Sequence, residues 1–137
     1  MDAKAYLKSI SRKESFINAK KLRLQALKDL AYHIPSPNFS KEMKVKKNTN
    51  SPVADAIIKA ADLEKEIQKE EIELYQMKAY MIGLIGEIHD PDEESVLIKR
   101  YFEHMSWVKI AAELYYSTRW IYVLHGRALD KLNRMQL

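Results

Sequence analysis

From Asp2 to Ile34 the chain carries no glycine and no proline, and the run stops only at Pro35. Within it apolar residues return every seven positions, at Ala3, Ile10, Ile17, Leu24 and Ala31. Tyr6, Leu27 and Ile34 form an adjacent seam, interrupted by Lys13 and Lys20, and Phe16 and Leu30 widen the stripe. A strand would alternate every second residue, so a seven-residue repeat specifies an amphipathic helix, here roughly 50 Å long.

The same pattern restarts after a loop. Ser51 offers an N-cap oxygen, and Pro52 suits the first helical position because it has no N–H to lose. Ala60, Ile67, Leu74, Met81 and Ile88 form one seam, and Leu63, Met77 and Leu84 a second, broken by Glu70. Gly83 and Gly86 weaken the end of this helix by about 1 kcal/mol each relative to Ala. Residues 52–89 thus predict a second long helix. The connection, PSPNFSKEMKVKKNTNS at 35–51, holds two prolines and four lysines and reads as a loop with a solvated tip. It exceeds the ~12–15 residues usual for structureless connections.

Charge supports folding these helices back on each other. Residues 1–52 carry 12 Lys and Arg against four Asp and Glu, whereas residues 53–90 carry four against nine. Two helices of matched length and opposite charge predict an antiparallel, coiled-coil-like hairpin over residues 1–89, with apolar surface left to make a homodimer.

Other classes are excluded by what the chain lacks. Without cysteine there is no disulfide, thiolate metal site or cysteine nucleophile. Three glycines and four prolines leave no Gly-rich phosphate loop and argue against a β-sandwich. No apolar run approaches the ~18 residues of a membrane span, and MDAKAYLKSISRKES has no signal-peptide core. The expectation is a cytoplasmic, all-α protein without membrane contact. His33, His89, His104 and His125 form no i,i+4 pair, and His125 is expected in solvent. Glu64, Glu66, Glu70, Glu71 and Glu73 lack the Glu-x-x-His partner of a di-metal bundle and read as a solvated face opposite the lysines of the first helix. No nucleophile–base pair is apparent, so neither an enzyme, a cofactor nor a small-molecule substrate is expected.

The remainder, 90–137, reads as three short helices. Asp90 caps, Pro91 opens and Glu93 completes a capping box. Leu97, Ile98, Tyr101 and Phe102 then give a buried face that ends near Glu103-His104. Ser106 caps Trp107–Leu114, with Val108, Ile110, Ala111 and Leu114 inward. Ser117 caps Thr118 to about Met135, with Ile121, Leu124, Ala128, Leu129 and Leu132 inward. A short helix, a tight turn and a longer helix is helix-turn-helix geometry. Thr118, Arg119, Tyr122 and Val123 face outward, with Trp120 at the margin. Arg119 can donate two parallel bonds to a guanine edge, and the hydroxyls of Ser106, Ser117 and Thr118 suit phosphate or base. Lys109, Arg127 and Lys131 are candidates for backbone phosphates. Trp107 should pack on Tyr101 or Phe102.

From about Asp92 to Leu132 the chain resembles region 4 of sigma-70-type factors. The matching residues are Leu97, Arg100-Tyr101, Ser106-Trp107, Ile110-Ala111, Leu114, Ser117, Ile121, Leu124, Arg127-Ala128-Leu129 and Lys131-Leu132. More narrowly, SWVKIAAELYYSTRWIYVLHGRALDKL is similar to small phage-encoded ArpU/RinA-like regulators, which join a helical hairpin to such a head. That resemblance implies a prophage-encoded regulator of late-gene transcription that binds double-stranded DNA, with host RNA polymerase as a further partner. Two other readings fit the same pattern: a small terminase-type DNA-packaging subunit, and a protein-binding adaptor of RNA polymerase with a degenerate head. Tyr115 stands where region 4 usually has Gly. A left-handed backbone there costs Tyr ~1–2 kcal/mol.

Overall fold

The computed structural model describes residues 2–32 and 52–135. It is all-α: α1 (Ala3–Tyr32), α2 (Pro52–Gly86), α3 (Pro91–Leu97), α4 (Trp107–Leu114) and α5 (Thr118–Arg134). A π-helical turn, Ile98–Phe102, follows α3 directly. The 35–51 loop, with Ser51, lies outside the described residues. Among the described residues no helix is long and apolar enough to cross a membrane. Packing divides the chain into two units, Met1–Glu14 with Leu74–Leu137, and Ser15–Glu73. The expected division at 89–90 is a turn of the chain, where His89 takes φ 58°. The division by packing instead cuts both long helices.

In the Ser15–Glu73 unit, α1 and α2 run antiparallel. Ile17, Ala56, Ala60, Leu63 and Ile67 are buried, and Leu24 and Leu27 are half-buried. Lys20 bonds Glu66 at 2.9 Å and also Glu70, Lys21 meets Glu71 at 2.9 Å, and Lys28 meets Glu64 at 3.1 Å. The glutamate cluster therefore faces the lysines of α1, in pairs whose attraction water screens. Phe16 and Leu30 do not widen the buried stripe; both are exposed. Two helices alone bury only a narrow seam, and one residue off it is a 100° rotation away from the partner.

In the other unit, the first turns of α1 and the last of α2 pack with α3, α4 and α5. Ala3, Leu7, Ile10, Met81, Ile85, Val96, Leu97, Ile110, Ile121, Ala128 and Leu132 are all buried. Leu7, on neither seam read from the sequence, is fully enclosed. The first N–H of α1, on Ala3, donates to Asn133 Oδ1 of α5 at 2.7 Å. Glu14 accepts from Lys78 and bonds His104 at 2.6 Å. Burial raises the Glu14 pKa, but these two partners outweigh it and leave the carboxyl below its ordinary value.

Asp90 caps α3, its Oδ1 accepting from Glu93 N–H at 3.0 Å. The Glu93 carboxylate turns inward, 3% exposed, and bonds Lys131 of α5. The helix expected to reach Glu103-His104 instead loosens into the π turn, closed by Glu103 N–H to Ile98 O at 3.0 Å. His104 then turns left-handed at φ 57°, and an Arg100 N–H donates to Met105 O at 2.9 Å.

Candidate functional site

Helices α4 and α5 form the site because their ends are set by side chains. Ser106 Oγ accepts from Lys109 N–H at 3.2 Å, and Ser117 Oγ accepts from Trp120 N–H at 3.1 Å. Each cap satisfies one orphan donor of a helix start. Between them Tyr115 is left-handed (φ 61°, ψ 39°), and Tyr116 N–H returns to Ala111 O at 3.0 Å. That six-residue closure is the usual way a helix ends on a left-handed residue. Tyr116 also donates to Asp92 at 2.6 Å, which ties the turn to α3 and raises the Tyr116 pKa.

Beneath the turn Val96, Ile110, Ala111, Ile121 and Leu124 form one core, with Met105, Trp107 and Leu114 against it. This core fixes which side of α5 faces out. Arg119, Tyr122, Val123 and Arg127 are exposed, Trp120 is 37% exposed, and Thr118 is half-buried. Ser106, Lys109 and Ser117 are exposed at the neighbouring helix starts. Nine of the ten residues singled out in the sequence thus lie on α5's outer side or at the two capped starts. Lys131 does not join them, since its ammonium is held by Glu93.

The aromatic residues partition to the two edges of α5. Arg127 lies over Trp120, 4.9 Å from the ring centre. At the opposite edge Trp107 touches Tyr122 at 5.2 Å and His125 at 4.8 Å, and Arg100 covers it at 4.4 Å. Trp107 therefore packs on the Tyr122 and His125 rings of α5, and His125 in turn stacks on Tyr101. His125 is buried rather than solvated, and it shares a hydrogen bond of 2.8 Å with Tyr101 Oη. Burial, then the charges of Lys4 and Arg100, lowers His125 from 6.5 to about 4, so the ring is neutral at pH 7. Burial raises the Tyr101 hydroxyl in turn.

Val108, expected inward, is 70% exposed beside the α4 cap. It lies about 160° from Ile110 around the helix at 100° per residue, so the inward set of α4 is Ile110, Ala111 and Leu114. Lys4, Lys8 and Arg100 were not among the sequence-derived candidates. They line a groove of about 460 Å³ with Trp107 and His125. No local pattern marks them, since the groove joins positions about a hundred residues apart. Compared with family models, characterised proteins and solved structures, the chain matches none.

Proposed function

We propose that the protein binds duplex DNA and reads its sequence with α5, as a transcription regulator of the helix-turn-helix kind. The observation that carries this reading is Arg119. It stands in the first turn of α5, exposed and without an ion pair among the described residues, beside the capped start that suits a phosphate. Thr118, Tyr122 and Val123 complete an outer face with thymine-methyl and hydroxyl chemistry. Lys109 and Arg127 supply charge at its borders. The resemblance to phage-encoded regulators supports a target in DNA flanking the protein's own gene.

Binding of the purified chain to labelled duplexes from that DNA, at two salt concentrations, tests the reading. A specific site should lose about 1–3 kcal/mol of affinity on Arg119→Ala, with little change on unrelated duplexes. A folded chain that binds no duplex at low salt refutes it. In the Ser15–Glu73 unit Leu22, Ile58 and Ile72 are exposed apolar residues. They favour a homodimer, for which light scattering should give the mass of two chains and Ile58→Glu that of one.

A further inference from the structure

The groove beside Trp107 is built from two directions. Lys4, Lys8 and Ser11, spaced about one helical turn apart, form the α1 wall, and Arg100, Tyr101 and His104 form the other. Trp107 and His125 close it from α4 and α5. The α1 wall is held in place, because Ala3, Leu7 and Ile10 are buried and the Ala3 N–H is bonded to Asn133 of α5. Lys4 and Lys8 therefore have a fixed position relative to the reading face.

Charge in the groove is one-sided. Among the described residues no carboxylate lines it. Lys20, Lys21, Lys28, Lys78, Lys99 and Lys131 each hold an acidic partner, whereas Lys4 and Lys8 form no ion pair among the described residues. Arg100 spends one N–H on Met105 O and keeps the rest of its five-donor fork. Lys4 and Lys8 on one wall and Arg100 on the other repel, and an anion in the groove relieves that repulsion.

Position says which anion. Trp107 belongs both to the groove and, through Tyr122, to the border of the outer face of α5. A helix lying in a major groove about 12 Å wide is flanked by a phosphate strand on each side. Arg127 over Trp120 marks one border of α5, and the groove opens at the other.

We infer that Lys4 and Lys8 of α1, with Arg100, hold backbone phosphates of the duplex that α5 reads, so that the first turns of the long hairpin helix belong to the DNA interface. The inference rests on the DNA-binding reading above. It is tested on the full chain by measuring duplex affinity between about 50 and about 200 mM salt, where each neutralised phosphate adds about 0.9 to the log–log slope. Lys4→Ala/Lys8→Ala should lower the slope by roughly 1.8 and weaken specific and unrelated duplexes alike. Lys4→Arg/Lys8→Arg should restore it, and the charge-matched Lys65→Ala/Lys69→Ala should leave it unchanged. Helical ellipticity confirms that each variant is folded. If wild type binds steeply with salt and Arg119→Ala weakens it, but the double alanine variant keeps the full slope, the inference fails and the DNA-binding reading stands. If wild type binds no duplex, both fail. If inorganic phosphate alters the emission of a Trp120→Phe chain, whose one emitter is Trp107, but not that of the same chain with Lys4→Ala/Lys8→Ala, while duplex slopes agree, the groove serves free phosphate and the inference is overturned.

Discussion

Tyr101 and His125, 24 positions apart, share a buried hydrogen bond of 2.8 Å with their rings stacked at 5.7 Å. The pair links the π turn to α5 and makes stability depend on pH. His125 sits at about 4 in the folded chain against 6.5 ordinarily. Between those values the unfolded chain binds a proton that the folded chain refuses. The contribution is complete above about pH 6.5 and is lost as pH falls towards about 4, by roughly 2 kcal/mol once water screening of Lys4 and Arg100 is allowed for. Urea midpoints on either side of that window should show the loss, and His125→Phe should remove it. Glu14, with its lowered carboxyl, adds a second loss in the same direction, below its ordinary value of 4.5.

Tyr115 is left-handed and 93% exposed, so its side chain contributes almost no packing to offset the strain. Tyr115→Gly should stabilise the chain by about 1 kcal/mol, the relief of ~1–2 kcal/mol being reduced by the extra freedom of an unfolded glycine. Tyr115→Val should destabilise it, since a branched side chain tolerates that backbone worst. Thermal unfolding of the two variants, moving in opposite directions, is the check. Equal midpoints would show that the turn bears no strain.

Lys131 separates stability from binding. Its partner Glu93 is 3% exposed, so Lys131→Ala leaves a buried carboxylate without its cation and should cost about 2 kcal/mol, less than a fully enclosed pair because the ammonium is itself 40% exposed. Lys131→Arg should recover most of that. In the salt titration neither variant should change the slope, because this ammonium faces α3. A slope lowered by about 0.9 would return Lys131 to the DNA interface.

The helix starts were legible because their signals are local. Ser106, Ser117 and Asp90 each bond a backbone N–H three residues on, and α4 spans the same residues that its cap and apolar spacing predict. The seam Ala60, Ile67, Leu74, Met81 and Ile88 is buried throughout for a similar reason. Partner choice was not legible. Spacing shows that α1 has an apolar side, but not that Leu7 packs among the short helices or that Asn133 meets Ala3. His125 hid in the same way, since a polar residue on the inner flank of α5 is stable there only because Tyr101 supplies a bond. The α5 face could be named from periodicity alone. The groove needed the tertiary structure.

The chain contains two tryptophans, and they stand at opposite borders of α5. Replacing either by phenylalanine leaves a single emitter whose surroundings are known: Trp120 under the Arg127 guanidinium, or Trp107 among His125, Tyr122 and Arg100. Fluorescence from the two single-tryptophan proteins therefore resolves one side of the helix from the other without an added label. Engagement of a partner along one border, or along both, becomes an optical signal that the protein already carries.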